Sequence, residues 1–297
     1  MDQLDAEKYL NEIPNFRESS ETVSRGLHNR ILEGGGPLRK LVDLLHGTWL
    51  GHPLHPVLTD VTIGAWMAGS MLDLLSIGKR SRSLEKAADQ MIALGTASAI
   101  PTALAGIADY TTVPRRALST GAAHGLLNAA GLVLNLLSSL SRSAGSRSLG
   151  VFLSSLSLGL LTVSGYLGGE LSYKYKVGVN HTPIVKGPKE WAVVMGSDAL
   201  PEGEPRRVNV DGFPILLYRY GGAIYAIGAT CGHDGGPLDE GKFDGLCVEC
   251  PWHQSVFDLR DGSVVHGPST YATPAFETRV ANGNIQVRLR ETGQRGS

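Results

Sequence analysis

Polarity along the chain changes twice. The first 36 residues are polar, from about Val57 to Gly169 the chain is rich in Leu, Ala, Gly and Ser, and beyond Trp191 short apolar runs alternate with polar positions. Four long apolar segments fill the middle. They are Val57 to Ile77, Gln90 to Ala108, Thr120 to Leu140 and Leu149 to Gly169. A bilayer core takes roughly 20 apolar residues per helix, and 18 or more without charge is a membrane signal. The last three segments carry no charged residue, although Pro101 interrupts the second. The first carries Asp60 and Asp73 and qualifies if these carboxylates face the interior of a bundle. Small residues recur four apart at Gly64/Ala68, Gly95/Ala99, Gly121/Gly125 and Gly165/Gly169, the spacing that lets membrane helices approach closely. A soluble bundle with a Ser/Ala-rich core is the alternative, but four such segments are hard to bury in so small a domain.

Ahead of these segments, Met1 to Gly36 predicts a mobile or partly helical lead-in that breaks at Gly34-Gly35-Gly36-Pro37. Leu38, Leu41, Val42, Leu44, Leu45 and Trp49 then recur near helical spacing, with Arg39 and Lys40 opposite. That pattern suits an interfacial helix on a membrane surface, or equally a short amphipathic helix packed on the next domain. Alternating spans place the starts of spans one and three and the ends of two and four on one side. Seven Lys and Arg lie near that side (Arg39, Lys40, Arg115, Arg116, Lys174, Lys176, Lys186) and six near the other (Lys79, Arg80, Arg82, Lys86, Arg142, Arg147), so the charge bias sets no orientation.

After a connector with Gly178, Pro183, Gly187 and Pro188, the period changes to that of strands. Expected strands cover Trp191 to Val194, Arg207 to Val210, Ile215 to Tyr220, Ala223 to Ile227, Arg279-Val280 and Asn284 to Leu289. Between them stand the turn pairs Asp211-Gly212, Gly221-Gly222, Asp261-Gly262 and Asn282-Gly283. The pattern predicts an all-β sandwich of about 100 residues.

The net charge of −1 gives no bulk electrostatic case for nucleic acid or for an anionic surface. Met1 to Glu12 is polar and acidic and shows no secretion signal. Three cysteines (Cys231, Cys247 and Cys250) offer no disulfide framework, and free thiols suit a reducing compartment. Together these expectations place the connector side of the helical domain in the cytoplasm.

The densest chemistry lies between Cys231 and His253. It reads Cys231-Gly232-His233, sixteen residues, then Cys250-Pro251-Trp252-His253. Each half offers a thiolate and an imidazole. A zinc ion held by two Cys and two His is one reading, although the spacings within each pair differ from common zinc fingers. The pattern C-x-H…C-x-x-H resembles the Rieske [2Fe–2S] motif, in which two Cys hold one iron and two His the other. The resemblance to Rieske ferredoxins extends over roughly Trp191 to Arg290. It includes Gly235-Gly236-Pro237-Leu238, Phe257-Asp258, Asp261-Gly262 and His266-Gly267-Pro268. It implies Cys231, His233, Cys250 and His253 as cluster ligands, with Pro251, Trp252, Ser255 and Phe257 around them. It further implies single-electron transfer with a redox partner such as a reductase, an oxygenase or a cytochrome. Two thiolates and two neutral imidazoles leave an oxidised cluster about neutral, which eases reduction relative to a four-Cys site. Reduction raises the imidazole pKa and can couple electron to proton transfer.

Departures from the family refine this. High-potential members carry an extra Cys in each loop, joined by a disulfide; here those positions read Gly236 and Trp252. Ser255 stands where such proteins use a Ser that hydrogen-bonds a bridging sulfide, and Phe257 where they use a Tyr. Hydrogen bonds to sulfur stabilise the reduced cluster, so an intermediate or low potential is expected. Cys247 reads as a small, buried apolar residue rather than a ligand. No two-His-one-carboxylate domain follows, so a stand-alone Rieske oxygenase is not expected.

Polar groups also gather at one end of the apolar segments. His52-Pro53-Leu54-His55-Pro56 opens the first, with Asp60 one turn on; Asp109-Tyr110 ends the second; His124 and Asn128 open the third; Glu170 ends the fourth. Ionisable groups in or beside membrane spans are costly and therefore functional candidates. His52, His55, Asp60, Asp109, His124 and Glu170 could hold a b-type haem, a transition metal or a quinone head group, or could form interhelical hydrogen bonds. The His-Pro-x-His-Pro opening and the ending Gly168 to Tyr175 resemble a small bacterial four-helix membrane domain of unknown function, over roughly Gly51 to Val179.

The expected architecture is multi-domain. A polar segment, 1–50, holds the interfacial helix. An all-α four-helix transmembrane bundle, 51–175, and a linker, 176–189, precede an all-β Rieske-type sandwich, 190–292. Three functions compete: a membrane-anchored electron carrier, a quinone- or haem-linked membrane oxidoreductase, and a redox sensor.

Overall fold

The structure, a computed structural model, describes residues 9–10, 12–79, 81–183 and 187–290. Residues 1–8 and 11 of the expected lead-in, Arg80 and Lys186 of the charge count, 184–186 of the linker and 291–292 of the expected β domain lie outside the described residues. The chain divides into two compact units, and the division is not simply sequential. One comprises the described residues of Met1–Leu38 with Pro53–Val177; the other comprises Arg39–His52 with those of Gly178–Ser297. The expected single N-terminal segment is thus shared between them. The cause is hydrogen bonding by side chains on its second helix, which no local pattern announces.

Six helices are described: α1 (Phe16–Glu33), α2 (Gly35–His46), α3 (Leu54–Lys79), α4 (Arg82–Tyr110), α5 (Leu118–Ser143) and α6 (Arg147–Gly169). The lead-in is helical over α1, which docks by small residues: Ser24 Oγ donates to the Tyr110 carbonyl at 3.2 Å and Tyr110 Oη to that of Ser20 at 3.1 Å. α3 packs on α4, and α5 on α6. Hydroxyls link α3 and α4, with Thr62 Oγ1 2.9 Å from Thr102 Oγ1 and 3.0 Å from Ser98 Oγ. Trp66 lies against Gly95, where an added Cβ would sit 2.5 Å from the indole. Of the expected small-residue contacts, Gly95/Ala99 and Gly121 face neighbours, whereas a Cβ added at Gly64, Gly125 or Gly165 would meet open space.

Three helical stretches, Arg82–Tyr110, Arg115–Ser143 and Arg147–Lys174, are long and apolar enough to cross a membrane. Large apolar residues such as Ile100, Leu104, Leu126, Leu140, Phe152 and Val163 point outward from them. α3 has the length, at 26 residues, but carries the two acids. Asp73 does face inward, 1% exposed, bridged by Arg142 Nη2 at 2.6 Å. Arg142 and Arg147 also bind Asp89 at 2.8 and 2.7 Å, so a four-residue ion network joins the end of α3 to α4, α5 and α6. Asp60, by contrast, is exposed.

Ten strands are described in the β unit. A six-stranded antiparallel sheet runs β1 (Ala192–Gly196), β10 (Asn284–Leu289), β9 (Ala275–Ala281), β4 (Ala223–Gly228), β3 (Phe213–Tyr220), β2 (Arg206–Val210). A four-stranded sheet runs in order through β5 (Lys242–Asp244), β6 (Cys247–Glu249), β7 (Val256–Asp258) and β8 (Val264–His266). The two-residue period of β3 sends Ile215 and Leu217 to one core with Phe276, Ile285 and Val287. Leu216 and Tyr218 go to a second core with Ile227, Leu238, Val248 and Phe257. The expected turn pairs Asp211-Gly212, Gly221-Gly222 and Asn282-Gly283 all have positive φ at both residues, as two-residue hairpins demand.

Candidate metal centre

Two loops leave the second core and end in near-identical turns. Cys231 begins the loop after β4, and Cys250 follows β6 directly. In the first, the Cys231 N–H donates to the Gly236 carbonyl at 2.8 Å and the Gly235 N–H to the Cys231 carbonyl at 3.0 Å. In the second, the Cys250 N–H donates to the Ser255 carbonyl at 2.8 Å and the Gln254 N–H to the Cys250 carbonyl at 3.1 Å. The fifth residue of each turn takes positive φ, 83° at Gly235 and 57° at Gln254. Glycine adopts this freely; at Gln254 the loop imposes it. The two turns present one Cys and one His apiece.

The cysteines are buried and unbridged, with their sulfurs within hydrogen-bond reach of each other. The rings of His233 and His253 lie edge to face, centroids 4.9 Å apart. The His233 N–H and the Ser255 hydroxyl bond the Cys231 sulfur. The Trp252 and His253 N–H groups bond that of Cys250. The hydrogen bond to Cys250, then burial, push the Cys231 thiol far up, while the bond from Cys231 lowers Cys250 to about 7. Two thiolates this close in a dry pocket cannot both ionise without a cation between them. Burial, then the neighbouring imidazoles of His253, His46 and His181, hold His233 well below its ordinary value, in the neutral form a metal requires.

Among the described residues no three His, Cys, Asp or Glu converge on one metal ion. Two thiolates and two imidazoles in separate pairs match a binuclear cluster, which needs two protein ligands per iron. There is little room for more. A Cβ at Gly236 would lie 2.7 Å from Cys250 Sγ and 3.2 Å from Trp252. The last contact makes Gly236 and Trp252 spatial neighbours, as the resemblance implied. Trp252 and Pro251 are exposed, while Phe257 is fully buried. Ser255 is also fully buried, its Oγ accepting from the Ser269 N–H at 2.9 Å. Cys247, expected to be buried, is half-buried on β6 with its thiol raised by burial and then by Asp258.

Sequence reasoning missed the groups surrounding these loops. The His181 N–H donates to the Gly232 carbonyl at 3.0 Å and its Nε2 lies 3.8 Å from Asp234. His266 Nδ1 lies 2.7 Å from Asp43 Oδ2, and His46 is buried against Gly267. His46 and His181 are single histidines in unremarkable stretches, His266 was noted only within the His266-Gly267-Pro268 resemblance, and only the fold brings the three here.

Among the described residues, the members of the other expected site are brought together only in part. His55 and His124 do meet, rings 6.4 Å apart. However, His124 Nδ1 bonds the Ser164 carbonyl at 2.8 Å and its Nε2 bonds Asn128 Nδ2 at 3.0 Å, so both nitrogens serve interhelical and local hydrogen bonds. His55 Nδ1 bonds the Thr102 carbonyl at 2.9 Å. Asp60 is exposed, Asp109 half-buried, Glu170 pairs with Lys174 at 3.8 Å, and His52 falls in the β unit. The ring-to-backbone bonds hold α3 to α4 and α5 to α6.

A family model described as the Rieske [2Fe-2S] domain matches residues 190–277. Another, described as a predicted membrane protein (DUF2231), matches residues 51–181. The chain is 36% identical to ferredoxin CarAc of Metapseudomonas resinovorans over 98 residues, 33% of this chain and 92% of that protein. It is 31% identical to the ferredoxin subunit of an anthranilate 1,2-dioxygenase of Burkholderia cepacia over 100 residues, 34% of this chain and 93% of that protein. Among solved structures, the ferredoxin of carbazole 1,9a-dioxygenase from Nocardioides aromaticivorans IC177 is 32% identical. That match covers 34% of this chain and 98% of that one, with a TM-score of 0.33.

Proposed function

Since the chain belongs to the Rieske [2Fe–2S] family through residues 190–277 and carries a DUF2231 membrane-protein domain at 51–181, we propose that it is a membrane-anchored carrier of single electrons. Cys231 and Cys250 would hold one iron of the cluster and His233 and His253 the other. The bound cluster supplies one-electron chemistry, and the residues around it tune how readily that electron is taken up. N–H groups of His233, Trp252 and His253 and the hydroxyl of Ser255 point at the cysteine sulfurs. They favour the more negative, reduced state. Phe257, fully buried, adds no hydroxyl. As cluster ligands, the imidazoles of His233 and His253 would gain basicity on reduction, which would let a proton follow the electron.

The observation that carries this reading is the pair of matching turns, each delivering one thiolate and one imidazole to a common dry pocket. The ferredoxin components it resembles belong to dioxygenase systems. A protein redox partner, an oxygenase or a reductase, is the corresponding proposal here, with the cluster domain on the cytoplasmic side. The test is electron paramagnetic resonance of the full chain, purified in detergent and reconstituted anaerobically with iron and sulfide. A Rieske-type signal after reduction is expected, and it should vanish in Cys250→Ser and His233→Ala. A chain that binds only zinc, or shows no such signal, overturns the reading.

A further inference from the structure

Residues 190–277, the part matched to the Rieske family, are not the whole setting of the cluster loops. α2 joins the same compact unit from Arg39 onward, although it precedes the helical domain in sequence. Arg39, Asp43 and His46 stand at i, i+4 and i+7, one face of the helix. Arg39 Nη2 donates to the Gln254 carbonyl at 2.9 Å, next to His253, and lies 3.8 Å from Glu249 at the end of β6. Asp43 accepts the Gly267 N–H at 2.8 Å through one oxygen and meets His266 Nδ1 at 2.7 Å through the other. The fit at Gly267 is close: a Cβ there would lie 3.0 Å from the Thr48 methyl and 3.4 Å from His46 Cδ2.

From Gly267 the contact continues inward. Two residues on, the Ser269 N–H donates to Ser255 Oγ. Ser255 is fully buried and its carbonyl accepts the Cys250 N–H at 2.8 Å, so the Ser269 donor fixes its hydroxyl inside the turn that carries the second ligand pair. We infer that α2 is a built-in clamp on the cluster loops and that Asp43 is a positioning residue for the electron-transfer site. It fixes the 266–269 loop that orients Ser255. Arg39 holds the second ligand loop from the same helix face. A Rieske ferredoxin that ends with its β domain has no such element within its own chain.

The test uses the full chain in detergent, with Asp43→Ala, Asp43→Asn and, as a control, Lys40→Ala at an exposed position of the same helix. A redox titration of the reconstituted protein should give a lower midpoint potential for D43A, a smaller decrease for D43N, which keeps an acceptor for Gly267, and no change for K40A. Amide hydrogen exchange, measured on cluster-free chains, should speed up at Gly267 and Ser269 in D43A and not in K40A. The inference is overturned by a cluster-loaded D43A with the wild-type potential, or by unchanged exchange at those two amides. If D43A takes up no cluster, D43N and the exchange measurement decide. A wild-type chain without a Rieske signal would remove the cluster assignment, yet the exchange comparison would still confirm or overturn the clamp.

Discussion

Ser255 sits between a donor and an acceptor: Ser269 gives it a proton's worth of contact and Cys231 receives one. Removing the hydroxyl in Ser255→Ala deletes a bond that is stronger when the cluster is reduced. A difference of about 1–2 kcal/mol corresponds to roughly 40–90 mV for one electron, so the midpoint potential should fall by about that much with the signal otherwise intact. Asp258 offers a different check. The Arg260 side chain and N–H hold its carboxyl below the ordinary carboxylate value. Its stabilising contribution is therefore complete above that ordinary value and is lost as pH falls through the lower, folded-state one. Acid unfolding of Asp258→Asn, followed by circular dichroism, should show a shallower decline below about pH 4 than the wild type. At this scale the candidate ligand pairs were legible because a metal motif is local: each Cys–His pair lies within four residues. Asp43, His46, His181 and His266 were not legible, since what recruits them is contact across as many as 224 residues of sequence.

The elements show the same division between local and distant causes. Hairpins with Gly at both-positive turns were readable residue by residue. β5 to β8 were not expected, because three-residue strands are too short for alternation to register, and burial of Val248 and Phe257 holds them in place. For α3, sequence left open whether Asp73 faces inward; the answer lies in Arg142 and Arg147, on two other helices. Arg142→Gln would leave Asp73 enclosed without its main counter-ion. Loss of about 3–5 kcal/mol is expected, seen as a lower thermal midpoint in detergent. The double variant Asp73→Asn/Arg142→Gln should lose less than Arg142→Gln alone, because no uncompensated charge then remains at that pair.

For the molecule as a whole, composition already separated an apolar helical domain from a β domain, and the compact units keep that division except for residues 39–52. That exception fixes a parity. The stretch just before the first apolar helix and the stretch just after the last one belong to a single folded body, and a folded body lies on one side of a bilayer. A chain that enters and leaves from one side must cross an even number of times. Three crossings by α4, α5 and α6 would strand Arg39–His52 on the opposite side from the cluster loops it binds. Membrane crossings by α4, α5 and α6 therefore predict a fourth by α3, its two acids notwithstanding. Reporter fusions or water-soluble thiol labelling should place the α3–α4 and α5–α6 turns together on one face, with the α4–α5 turn, residues 39–52 and the β domain on the other. A labelling pattern with the α3–α4 turn and the β domain on the same face would contradict it. The chain passes between the two compact units at Leu38/Arg39, His52/Pro53 and Val177/Gly178, three covalent links where a domain appended at one end would have one.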